Sequence, residues 1–119
     1  MNKNLESVMG TLIGEQLSAV TFVQDYLQLH FDGPCLTGYL FPVVRVAGDG
    51  FQLGESGYRD ALCRLIGEAI ENVVMQPDQE FCLVFVTGSS ITFSLKEEDR
   101  NGPEAIMIQD ANKETWNVW

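Results

Sequence analysis

Basic residues are scarce in this chain: seven Lys and Arg stand against seventeen Asp and Glu in 119 residues, for a formal net charge of −10. No Lys or Arg occurs between Lys3 and Arg45 or between Arg64 and Lys96. Nucleic-acid binders cluster cations to displace counterions from phosphates, so no DNA or RNA partner is expected. The same charge disfavours an anionic membrane surface, and no apolar run approaches the roughly 20 residues of a membrane helix. Cysteine is sparse and odd in number, with Cys35, Cys63 and Cys82 lacking any C-x-x-C spacing. That suits a reducing compartment better than a disulfide framework. The first residues contain no basic stretch feeding an apolar core, so no signal peptide is read and a cytoplasmic location is expected.

Chemical motifs are equally thin. His30 is the only histidine. It falls on the polar face of a strand with Tyr26 and Gln28, and no G-x-S-x-G nucleophile turn accompanies it. Three cysteines and one histidine at wide separations do not make a zinc site, and Glu97-Glu98-Asp99 crowds its carboxylates where a calcium loop would alternate them. Neither phosphate-cradling glycine frame occurs. The expectation is therefore a protein that is not an enzyme and carries no cofactor and no metal.

What the chain does contain is a repeat. Leu12-Ile13-Gly14-Glu15 returns as Leu65-Ile66-Gly67-Glu68. Upstream, Leu5, Val8, Met9, Leu12 and Ile13 match Tyr58, Ala61, Leu62, Leu65 and Ile66, both sets spaced as one helix face. Each helix is expected to stop at its glycine, Gly14 or Gly67, which takes the left-handed conformation without a Cβ clash. Ser56 is the expected cap of the second helix, read over residues 58–66. Downstream, residues 16–20 match 69–73, and after a two-residue insertion at Gln79-Glu80 the run 26–40 matches 81–95.

These matches predict an α+β fold: a tandem αβββ repeat with a pseudo-two-fold relation, two helices, a mostly antiparallel sheet and an extra C-terminal hairpin. The whole of 1–119 is read as one domain, with unit one over about 2–42, unit two over about 56–95 and the hairpin over about 104–119. At this size about two-thirds of the unfolded surface is expected to be buried. Residues 81–86, apolar on both faces, are expected to form a central strand covered on both sides. The glycine-rich stretch over 47–57 is read as a connector between units.

Phe31-Asp32-Gly33-Pro34 through Leu40-Phe41-Pro42, and Glu98-Asp99-Arg100-Asn101-Gly102-Pro103-Glu104-Ala105 with the closing Trp116-Asn117-Val118-Trp119, resemble stretches in small bacterial proteins of unassigned function. The resemblance implies a bacterial protein and brings no activity and no catalytic residue with it.

The remaining surface signal is aromatic and acidic. Tyr39 and Phe41, read at the end of the third strand, and Trp116 and Trp119, read on the last, can anchor a protein partner beside carboxylates such as Glu97, Glu98 and Asp99. The first expectation is thus a non-enzymatic interaction module that neutralises a basic protein partner. The second is a homodimer or larger structural homo-oligomer pairing through aromatic or strand-edge surface. The third is a carboxylate-dependent enzyme built on the repeat-related Glu15 and Glu68.

Overall fold

The structure is a computed structural model that describes residues 3–100, 102–110 and 115–117, with backbone alone for 3–5, 7 and 115–117. Among the described residues two α-helices, α1 (Lys3–Leu12) and α2 (Tyr58–Cys63), accompany ten strands and a 3-10 turn over Glu97–Asp99. The first sheet contains β1 (Leu17–Phe22), β2 (Leu27–Phe31), β3 (Cys35–Gly38), β9 (Ile106–Gln109) and β10 (Thr115–Asn117), in that order. The second contains β5 (Asp49–Phe51), β4 (Val43–Val46), β8 (Ser90–Ser94), β7 (Glu80–Phe85) and β6 (Ile70–Gln76). Every pairing is antiparallel. The fold is therefore α+β and mostly sheet.

The hairpins cross over. The β4–β5 hairpin leaves the first sheet and pairs with β8 of the second, while β9–β10 leaves the second and pairs with β3 of the first. Each sheet is thus three consecutive strands completed by a hairpin from the other part of the chain. The stretch over 47–50, expected as part of a connector, is instead a tight hairpin turn: Ala47 and Gly48 both have positive φ, which matches the twist of the flanking strands.

Inward-facing residues of both sheets form one core. Leu27, Leu29 and Phe31 of β2 alternate with half-buried Gln28 and His30, and Phe81, Leu83 and Phe85 of β7 alternate with half-buried Cys82 and Val84. Strand β7 is accordingly covered on one face, not two, and Val86 beyond it is 57% exposed. Apolar composition on both faces misled here because Cys82 and Val84 occupy a partly solvated face at modest cost. Val8 and Leu12 of α1, and Tyr58, Ala61 and Leu62 of α2 with Leu65 beyond it, complete the core. Ile13 and Ile66, expected on the same stripe, are 40% and 44% exposed because each lies past its helix, in the turn to the next strand. Burying a leucine of this kind stabilises by about 1.5–3 kcal/mol.

Helix α1 ends at Leu12, just before Gly14, whereas α2 ends at Cys63 and a turn over 64–67 separates it from the expected stop at Gly67. Gly14 and Gly67 have φ of 92° and 97°, and the N–H groups after them, on Glu15 and Glu68, bond back to Leu12 O and Leu65 O at 3.0 Å each. Helix α2 is shorter than expected and has no Ser56 cap; Gly57, left-handed, holds the N-cap position. The two glycine turns then meet. Gly14 N–H donates to Ile70 O at 2.8 Å and Gly67 N–H to Leu17 O at 2.7 Å, while Leu17 N–H donates to Glu68 O and Ile70 N–H to Glu15 O at 3.0 and 2.9 Å. Gln16 and Ala69 form an isolated antiparallel bridge between them.

Ladder register revises one part of the sequence alignment. Phe22 pairs Leu27 and Leu17 pairs Phe31, as Met75 pairs Phe81 and Ile70 pairs Phe85, each pair of strands with one irregularity after its first partner. Leu27, Leu29 and Phe31 therefore hold the places of Phe81, Leu83 and Phe85, one residue away from the match that set Tyr26 beside Phe81. Strands have a side-chain period of two, so that slip would have turned every inward residue outward. The match of residues 35–38 with 90–93 agrees with the ladder, since Leu36 pairs Leu29 as Ile91 pairs Leu83.

Candidate functional site

The residues expected as partner contacts do not gather in one place. Tyr39 and Phe41 lie beyond β3, which ends at Gly38, and Tyr39 N–H is tied to Ala105 O at 2.8 Å. Gly38, the last residue of β3, abuts the Phe93 ring, which a Cβ at position 38 would strike. Glu97, Glu98 and Asp99 are exposed on the 3-10 turn, where Asp99 accepts the Ser94 hydroxyl at 2.6 Å. Trp116 pairs Ile108 through the backbone of β10, and Trp119 lies outside the described residues.

Around Tyr39 a different set converges. A groove of about 290 Å³ is lined by Asp25, Tyr26, Tyr39, Gly102, Pro103 and Glu104. Asp25 and Tyr26 come from the turn joining β1 to β2, and Tyr39 from the segment leaving β3, which pairs with β2. The far wall comes from the loop before β9. Arg100 braces that loop, donating from Nη2 to Leu95 O at 3.1 Å and from Nη1 to Pro103 O at 3.2 Å. The Tyr39 hydroxyl donates to Met107 Sδ at 3.7 Å. Burial raises its pKa above the ordinary tyrosine value, and the Glu104 carboxylate and Tyr26 raise it further. The phenol is therefore neutral at physiological pH.

Two polar atoms of this loop, Glu104 Oε2 and Arg100 Nε, are buried with no hydrogen-bond partner among the described residues. A buried carboxylate oxygen left without a donor is costly, so the site favours an incoming N–H or ammonium group. Two aromatic rings with two carboxylates suit a cation: ring faces attract it by about 0.5–2 kcal/mol, and carboxylates give charge-assisted hydrogen bonds.

A second groove, of about 390 Å³, is lined by Phe22, Val23, Gln24, Phe41, Leu53 and Arg59. The Arg59 guanidinium carbon stands 5.8 Å from the centre of the Phe22 ring. Leu53 is 54% exposed.

The remaining candidates lie elsewhere. His30 is half-buried on β2 with Nε2 2.9 Å from Thr21 Oγ1, the hydrogen-bonded strand residue that its position suggests. Glu15 and Glu68 are half-buried beside the Gln16–Ala69 bridge, and the Glu68 carboxylate accepts the Thr87 hydroxyl. Cys63 is exposed, whereas Cys35 and Cys82 are half-buried. Among the described residues, no three His, Cys, Asp or Glu side chains are grouped to hold a metal ion, and no helix is long and apolar enough to cross a membrane.

Comparisons with protein-family models, curated proteins and solved structures found no match to this chain. The sequence reading reached Tyr39 and Phe41 but missed Asp25, Tyr26 and Glu104. The available signal was strand pairing: with Leu27 opposite Gly38, Tyr26 and Tyr39 are the next residues outward on neighbouring strands.

Proposed function

We propose that this chain is a non-enzymatic binding module that takes a basic segment of a partner protein at the Tyr39 groove. The observation that carries the reading is Glu104 Oε2, buried without a partner in a groove walled by Tyr26 and Tyr39 and edged by Asp25. A Lys or Arg side chain would lay its aliphatic stem along the rings and its charged end among the carboxylates. The net charge of −10 draws such a segment in from a distance, an attraction that salt weakens.

Titration with a short lysine-rich peptide at low and high salt tests this. Wild type should bind at low salt and weaken as salt rises, and Tyr39→Ala should bind about tenfold more weakly. Equal affinity for wild type and Tyr39→Ala would remove the groove from the reading.

The architectural basis is a doubled αβββ piece related by a pseudo-two-fold axis near the Gln16–Ala69 bridge. Supporting it are the reciprocal hydrogen bonds, in which Gly14 to Ile70 answers Gly67 to Leu17, and Leu17 to Glu68 answers Ile70 to Glu15. On this reading the C-terminal hairpin belongs to the repeat, as the counterpart of β4–β5.

A second reading, self-association as a homo-oligomer, is favoured by β6, which lies at the edge of its sheet with Val74 41% exposed. Light scattering over a range of concentrations decides it: a rising mass supports pairing, and a constant monomer mass ends the idea.

A further inference from the structure

We infer that the Tyr39 groove reads the methylation state of a partner's lysine: it binds ammonium heads that keep at least one N–H and turns away the trimethylated one. This rests on the cation-binding reading of the groove and names which cations that reading admits. The two carboxylates of the groove stand in different surroundings. Asp25 is exposed, so water meets its hydrogen bonds and it offers an incoming cation mainly attraction at a distance. Glu104 Oε2 is buried, and the donors around it are committed elsewhere. The Tyr39 hydroxyl gives its proton to Met107 Sδ. Arg100 gives Nη1 and Nη2 to the carbonyls of Pro103 and Leu95, and its Nε bonds to no protein group. The last torsion of a glutamate is soft, so the carboxyl can turn Oε2 toward a donor that arrives in the groove.

The rings do not choose among lysine heads, because Tyr26 and Tyr39 attract a cation whether or not it is methylated. Nor does size, since a groove of about 290 Å³ is near the lower end of small-molecule sites and ample for the end of one side chain. The hydrogen bond is what differs. Lysine carries three N–H donors, and each methyl group removes one, so dimethyl-lysine keeps a single donor and trimethyl-lysine none. Methylation also adds apolar surface that the rings accept, which offsets the first two losses. The third methyl leaves the charge in place and removes the last donor. A trimethylated head would therefore lie in the groove with a buried carboxylate oxygen still unpaired, an unfavourable state for a charged acceptor.

The test uses the full chain at low salt and one short glycine-serine peptide made four ways, with its lysine unmodified, monomethylated, dimethylated or trimethylated, each followed by NMR titration. The first three should bind wild type within a few-fold of one another, and the step from dimethyl to trimethyl should weaken binding about tenfold, the scale of one hydrogen bond to a charged group. This comparison needs no substitution, so it stands even if a variant folds poorly. Glu104→Gln removes the charged acceptor and should shrink that step to about twofold or less, while Tyr39→Ala should weaken all four peptides alike. A trimethylated peptide bound by wild type as tightly as the dimethylated one, or a step that persists undiminished in Glu104→Gln, would overturn the inference and leave the cation-binding reading intact. Failure of all four peptides to bind wild type would instead overturn the cation-binding reading, and this inference with it.

Discussion

The two sheets share a ladder and differ at its outer end. In the second sheet the pair next to Phe81–Phe93 is Glu80–Ser94, and the Ser94 hydroxyl is spent on Asp99. In the first sheet, the residues one step beyond Leu27–Gly38 are Tyr26 and Tyr39, which wall the acidic groove with Glu104. The ladder thus ends on a polar pair in the second sheet and runs out to two tyrosines in the first. The core constrains inward residues tightly and leaves these outer positions free to specialise.

The comparison is tested first in the core. Leu29→Ala and Leu83→Ala, at matching ladder positions and both fully buried, should each cost about 2–5 kcal/mol, with similar values in denaturant unfolding. A large cost in one sheet and little in the other would break the equivalence.

Tyr58 and Gly38 mark places where the halves are fastened. The Tyr58 hydroxyl donates to Pro42 O at 2.5 Å in the core, so Tyr58→Phe should cost about 1–3 kcal/mol by leaving that carbonyl unpaired. Burial also raises the Tyr58 pKa. Its phenol then ionises more readily in the unfolded chain, so this contribution is fully present below about pH 10 and is lost as pH rises from there through the higher folded value. Alkaline denaturation curves should show a smaller loss of stability above pH 10 in Tyr58→Phe. At Gly38 the Phe93 ring must move to admit a methyl group, and Gly38→Ala should destabilise by about 1–3 kcal/mol. Phe93→Leu in the same chain should recover part of that loss if the collision is its cause.

Smaller effects are expected at the helix stops. Gly14→Ala and Gly67→Ala each force a Cβ into left-handed backbone and should cost about 1–2 kcal/mol apiece, read as a shift in denaturant midpoint. Unequal costs would show that the two turns are not interchangeable.

Much of this plan was legible in the chain. The repeated apolar spacing located both helices, and Gly14 and Gly67 the left-handed turns that follow them, because such a turn is a local requirement that a glycine meets by itself; the earlier end of α2 at Cys63 was not legible. The crossing of the hairpins was not legible, since Val43–Val46 pairing with β8 depends on contacts distant in sequence. The one-residue slip at Tyr26 arose because two apolar-rich strands can be matched in either phase, and only hydrogen-bond register separates them. Tyr39 stood out as an aromatic near carboxylates, but its partners Asp25 and Glu104 come from loops that only the folded chain brings together.

The most direct test of the central claim is an NMR map of the chain on adding a lysine-rich peptide at low salt. The account predicts that the largest shifts fall on Asp25, Tyr26, Tyr39 and Glu104 and shrink as salt is added. Shifts centred instead on the Glu97, Glu98 and Asp99 turn, or no shifts at all, would contradict it.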